Sequence, residues 1–290
     1  MPSVSLYRAT LAGALVALCA ACASVPPVQH AFALDGKSAP VGSPLPCAGG
    51  TPTADKTRPA PALPGPTVRV LSWNLHKNDD PGWDADLARF AAQSDLLLIQ
   101  EALLTPELTR VVRDAGYDGL LAGSFTLKGR ETGVLSAARV APASACVQRA
   151  FEPLLQLPKA AAITRYEIGA ADQMLAVANV HAINFTLGLG DYRAQLQAVA
   201  QELADHRGPM IVAGDFNSWS ASRVEVLAEV MRSLGLAEVL PETDTRSRFM
   251  GQQLDHVYVR GLDVVNVAAP QVQSSDHNPV LATLRLAGAR

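Results

Sequence analysis

Residues 211–219 read Ile211-Val212-Ala213-Gly214-Asp215-Phe216-Asn217-Ser218-Trp219. A short apolar run ends in a glycine, and a carboxylate and a carboxamide follow, two residues apart. Apolar runs of this length, bounded by turn residues, read as buried strands. Side chains alternate across a strand, so Asp215 and Asn217 are expected to point the same way at its end. The run then delivers an acid and an amide together to the rim of a sheet, before a helix capped by Ser220 or Ser222. Asp, Asn and Ser also favour plain turns and helix caps. Taken alone, the stretch leaves both readings open.

Five other places repeat the pattern. Val68–Trp73 reads as a strand with Asn74 at its end, and Leu96–Gln100 as one ending in Glu101. A meander of strands over 117–180 runs into His181-Ala182-Ile183-Asn184-Phe185. Leu254–Val259 carries Asp255, and the polar turn Ser274–Pro279, with Asp276 and His277, precedes a last strand over 280–286. Between them, helices are predicted over 84–93, 106–115, 191–206 and from about 221 to 233. If the strand ends converge, one rim holds Glu101, Asp215, Asp255 and Asp276 with Asn74, Asn184, Asn217, His181 and His277. Carboxylates gathered in one cleft repel one another and are costly to desolvate. A bound divalent cation offsets this, and carboxylate and amide oxygens suit Mg²⁺, Mn²⁺ or Ca²⁺. The natural chemistry of such a rim is hydrolysis at phosphorus.

The strings Trp73-Asn74, Gln100-Glu101, Asn179-Val180-His181, Gly214-Asp215-Phe216-Asn217, Leu254-Asp255-His256 and Ser275-Asp276-His277-Asn278-Pro279 together resemble the ordered motifs of the endonuclease/exonuclease/phosphatase (DNase-I-like) superfamily. The stretches 181–185 and 214–219 are most similar to its YafD-like bacterial branch. The resemblance implies an α/β (α+β) fold, a four-layer α/β/β/α sandwich of two packed, mostly antiparallel sheets flanked by helices. It implies Mg²⁺ or Mn²⁺ held by Glu101 with Asn74 and Asp276. It makes Asp215 the group that orients or deprotonates the attacking water, with Asn217 on the phosphate. Asp255 would fix His277, which acts as base or as phosphate-stabilising cation. His181 would stand near the leaving group, and Asn184 could bind a phosphate oxygen. His76 and His256 read as bystanders, His256 because it points opposite to Asp255.

Bulk properties narrow the substrate only partly. The 290 residues carry 24 Lys+Arg against 27 Asp+Glu, which argues against a strong positive field. The 5% of aromatic residues does not indicate a base-stacking platform. The resemblance implies a phosphodiesterase, with nucleic acid favoured and a phospholipid- or sphingomyelin-type phosphodiesterase or a phosphatase as alternatives. A reading of another class is a non-catalytic tethered binding module. A monomer is expected.

The N-terminus reads as an export signal. Arg8 is the only charge before the apolar stretch Leu11–Ala21, which is too short to span a bilayer comfortably. Small residues before Cys22 resemble a bacterial lipoprotein box. The expected organisation is a signal over 1–21, a Pro/Ala-rich tether over 22–66 holding half of the chain's 20 prolines, and one catalytic domain over 67–290. The membrane is then a partner through a lipid on Cys22, on the periplasmic face. In an oxidising compartment Cys47 and Cys146 are expected to form a disulfide.

Overall fold

The computed structural model describes residues 23–34, 47, 62–169 and 173–288. The signal segment, Cys22 and much of the tether lie outside them. In chain order the first strands are β1 (Ala23–Ser24), β2 (Ala31–Ala33), β3 (Thr67–Asn74), β4 (Leu96–Leu103), β5 (Asp118–Leu127) and β6 (Arg130–Ala138). Then come β7 (Ser144–Phe151), β8 (Pro158–Ile168), β9 (Gln173–His181), β10 (Met210–Asp215) and β11 (Ala237–Glu238). The last are β12 (Arg248–Phe249), β13 (Gln252–Gln253), β14 (Asp255–Arg260), β15 (Leu262–Ala268) and β16 (Val280–Leu286). The helices are α1 (Trp83–Ala91), α2 (Pro106–Asp114), α3 (Gly190–Leu203) and α4 (Ala221–Ser233). The starts of α2 and α4 follow the predicted caps: Thr105 accepts from the Leu108 amide and Ser220 from the Arg223 amide.

Two sheets form, ordered β1-β5-β6-β4-β3-β16-β15, with β2 also on β5, and β11-β14-β10-β9-β8-β7; β12 and β13 make a separate hairpin. Among the described strands β3–β4 and β9–β10 pair in parallel, across helical crossovers, and the other strand pairs are antiparallel. The layering follows from side-chain alternation. Val68, Val70, Leu96 and Leu98 meet Leu175, Val177, Ile211 and Ala213 between the sheets. Their neighbours Leu71, Trp73, Leu97 and Ile99 pack outward on α1 and α2. Val212 and Val180 pack outward on α3 and α4. Both faces of the central strands are covered, so those strands are apolar throughout rather than alternating. This is the expected four-layer α/β/β/α sandwich.

The tether differs from expectation. Ala23–Ser24 and Ala31–Ala33 pair with β5, and Phe32 and Leu34 are buried among Leu121 and Tyr117 of the outer layer. Two large apolar side chains dock what composition alone marks as flexible chain. Cys47 is disulfide-bonded to Cys146 of β7 as expected, with 4.9 Å between Cα atoms. Leu63 bridges to Ile168 at the end of β8.

Candidate active site

Alternation also decides which side chains reach the cleft. On β3 the inward positions 68, 70 and 72 lead to Asn74; on β9, 175, 177 and 179 lead to His181; on β10, 211 and 213 lead to Asp215. Asp215 stands opposite both His181 and Asp255 in the ladder, so three strands bring their polar ends level. Glu101 has the wrong parity, since Leu97 and Ile99 face the helices. A register shift between Ile99 and Ala102, with Glu101 at φ 47°, turns it back toward the cleft. A bulge next to an active site commonly re-aims a side chain in this way. Gly214, at φ 146°, lets β10 lie against β9: a Cβ there would be 1.9 Å from the Val180 carbonyl oxygen.

Asp215 is the hub. Its Oδ2 accepts from Asn74 Nδ2 at 2.9 Å and lies 3.4 Å from His181 Nε2 and 4.0 Å from His277 Nε2. Its Oδ1 accepts from the Asn217 backbone amide at 2.9 Å. Behind His277, Asp255 Oδ2 meets the ring Nδ1 at 2.7 Å. Burial pushes the His277 pKa down, but the Asp255 and Asp215 carboxylates outweigh it and raise it to about 10. His277 is therefore an imidazolium at neutral pH. His181 goes the other way: burial, with Lys159 adding to it, lowers it to about 3 against the pull of Asp215 and Glu101. Two imidazoles flanking one carboxylate thus hold different charge states, one neutral and one cationic. Burial raises the Glu101 carboxyl, yet Lys159, His181 and Lys77 hold it well below its ordinary value. Glu101 pairs with the Lys77 ammonium and, at 3.2 Å, with Lys159 Nζ.

Eight of the nine predicted site residues line one cleft of about 670 Å³; Asp255 stands behind it and acts through His277. It is a positioning residue rather than a catalytic one, because His277 covers its carboxylate. Asn217 reaches the cleft by a different route from the one predicted. It lies beyond the strand end at φ 46°, in a turn closed by Asp215, and its amide donates to the Ala182 carbonyl at 2.9 Å. One amide hydrogen thus braces the strand ends instead of facing a phosphate. Asn184 Oδ1 accepts from Trp219 Nε1 at 2.9 Å, which orients the carboxamide and leaves its NH₂ to donate to a ligand. Asp276 is exposed at the cleft edge. Away from the cleft, His256 bonds Ser218 and Glu238 as a bystander should; His76 borders the cleft but pairs with Asp80.

Several residues escaped the sequence reading. Lys159, alone at the start of β8, carried no pattern. Buried Arg223 donates to the Ile183, Asn184 and Asn217 carbonyls and ties both polar loops to α4. Its place on the apolar helix face with Val226, Leu227 and Val230 was a readable signal. Gln100 Nε2 donates to Asn179 Oδ1 at 2.7 Å, a polar link between the sheets directly under the cleft.

The sequence profile of the Endonuclease/Exonuclease/phosphatase family matches residues 71–277, a span that holds all nine predicted site residues. The chain belongs to this family. A UPF0294 protein of Vibrio cholerae is 42% identical over 220 residues, covering 76% of this chain and 78% of its own length. Among solved structures, an endonuclease/exonuclease/phosphatase from Beutenbergia cavernae superposes with a TM-score of 0.62 at 19% identity, covering 78% of this chain and 73% of its own. The human nocturnin catalytic domain, solved with a bound sulfate anion, gives 0.58 at 18% identity, covering 79% and 98%. At such identities the two structures speak for the fold. The endonuclease/exonuclease/phosphatase family includes phosphodiesterases, nucleases and phosphatases, which generally use divalent metals.

The donor set fits such an ion. Glu101, Asn74 and Asp276 offer hard oxygens to one cleft. Glu101 is met by two ammonium groups, the charge a divalent cation carries. Asp255 Oδ1 is buried without a partner, and Asp215, Asp255 and His277 offer ligand atoms within 4.8 Å of one another.

Proposed function

We propose that the chain is an exported phosphodiesterase that depends on a divalent metal, Mg²⁺ or Mn²⁺, and is held at the periplasmic face of a membrane by a lipid on Cys22. The observation that carries the chemistry is Asp215 Oδ2 at the meeting point of Asn74, neutral His181 and cationic His277. When bound, the ion held by Glu101, Asn74 and Asp276 would neutralise phosphate charge and polarise the scissile group. Asp215 orients the attacking water and takes its proton. The Asn74 donor keeps that carboxylate oriented and acceptor-only. His277 donates from Nε2 to a phosphate oxygen, its charge sustained by Asp255. His181 stands on the Glu101 side, where it can hydrogen-bond the leaving oxygen. Lys77 and Lys159 add positive charge beside the same phosphate.

The disulfide supports export, since such bonds persist in oxidising compartments. A nuclease, favoured by the resemblance, would gain from a long cationic track; the cleft offers Lys77, Lys159, Arg248 and His277, enough for a phosphate or two. The test is hydrolysis of bis(4-nitrophenyl) phosphate by the full chain with Mg²⁺ or Mn²⁺. Chelation, Asp215→Asn and His277→Ala should each abolish it. Turnover indifferent to all three would defeat this reading, and absence of turnover with either metal would leave the binding-module reading standing. Transfer of the protein from the membrane to the soluble fraction by Cys22→Ser checks the lipid anchor.

A further inference from the structure

Eleven large apolar side chains are exposed among the described residues, and six of them sit on three loops around the cleft mouth. Leu154 and Leu155 lie in the β7–β8 turn, Phe185 and Leu187 in the β9–α3 loop, and Phe249 and Met250 at the tip of the β12–β13 hairpin. Leu187 is 80% and Met250 73% exposed. Ordinary surfaces scatter such residues singly; gathered ones mark contact sites. The three loops share one end of the sandwich. Phe185, Phe249 and Met250 border the main cleft, and Phe185 and Leu155 border a second cavity of about 260 Å³ that shares Glu101, Lys159 and His181 with it.

The chain's own entry point falls on the same rim. Ala23 pairs with Leu127 at the end of β5, two to three residues from Phe125 and Ser124, which line the second cavity. Residue 22, the expected lipid-bearing cysteine, and the apolar stretch Leu11–Ala21 directly precede it. The adjoining β5–β6 turn exposes Lys128 and Arg130, and Arg248 is half-exposed beside Phe249. Apolar tips flanked by cations are what a surface needs to enter the headgroup layer of an anionic bilayer. They stand on separate loops around an open cleft instead of forming one flat face, which suits a fluid surface.

We infer that this rim docks on a phospholipid bilayer, so that the cleft opens onto the headgroups and the phosphodiester it takes is that of a membrane lipid. This rests on the phosphodiesterase reading above. The anchor and the rim then act together: the tether keeps the mouth at the surface, and the three loops set its orientation and depth.

The test uses the full chain carrying Leu187→Trp, Met250→Trp or, on the opposite sheet edge, Val264→Trp, with vesicles of brominated phosphatidylethanolamine and phosphatidylglycerol. The indole added at 187 and at 250 should shift to the blue and lose fluorescence to the brominated chains; the one at 264 should do neither. Wild-type protein should also release phosphorylated headgroup from these vesicles. Absence of quenching at both 187 and 250, or quenching equal at 264, overturns the docking. Cleavage of DNA or RNA with no headgroup release overturns the substrate. Bis(4-nitrophenyl) phosphate separates the two readings: quenching without any hydrolysis of this soluble diester sinks the phosphodiesterase proposal and leaves the docking intact.

Discussion

The pair formed by Asp255 and His277 allows a test of the charge states at the site. In Asp255→Asn the side chain keeps its shape and an oxygen to accept from Nδ1, and only the charge is lost. Burial lowers the His277 pKa, and the carboxylates of Asp255 and Asp215 raise it past that, from 6.5 to about 10. At about 1.36 kcal/mol per pH unit, this corresponds to roughly 5 kcal/mol of stabilisation shared by the partners. Asp255 is the nearest, at 2.7 Å, with Asp215 at 4.0 Å. Losing its charge is therefore expected to cost about 3 kcal/mol. The sign follows from a raised folded-state pKa. The contribution is complete below 6.5, where the unfolded imidazole is also charged, and fades as pH rises through the folded value near 10. Urea denaturation of wild type and variant in chelator should show the full gap at about pH 6 and little of it at about pH 10.5. A gap of equal size at both would refute the ion pair and reduce Asp255 to a packing residue. Proton NMR of the His277 ring should place its titration in the variant closer to the ordinary histidine value.

Glu101→Gln should weaken Mn²⁺ binding, followed by titration calorimetry, and lower turnover by about 10³-fold or more, since metal-assisted charge stabilisation is worth several kcal/mol. Gly214→Ala puts a Cβ 1.9 Å from the Val180 oxygen, so the β9–β10 ladder must part at the site; a loss of about 3 kcal/mol or more in thermal unfolding is expected. Joint replacement Cys47→Ser and Cys146→Ser opens a loop with sequence separation 99. In the chain-entropy model this costs roughly 4–5 kcal/mol, and reductant should do the same to wild type but nothing to the double variant.

The elements themselves were written in the chain. Apolar runs bounded by Gly, Asn and Asp gave the central strands, and Thr105-Pro106 and Ser220 marked helix starts that the structure keeps. The polar residues at strand ends named the site, because acid, amide and imidazole after a buried strand stand where the backbone leaves the core and reaches a rim. The paired cysteines were also legible from the export signal and their number. Local pattern could not report the docking of residues 23–34, since burial of Phe32 and Leu34 depends on a layer built by strands almost a hundred residues away.

What only the tertiary structure decided is how the site is charged and aimed. Glu101 lies on the wrong face by strand parity, and a bulge fixed by pairing with β6 turns it inward. Lys159 enters because β8 starts beside the end of β9, a neighbourhood no short window contains. His181 ends a strand and His277 lies in a turn before one; burial near a lysine makes the first neutral, and two carboxylates make the second cationic. Sequence determines which groups are present. Their charges and directions depend on distances across sheets, because electrostatic energy follows separation in space and not along the chain.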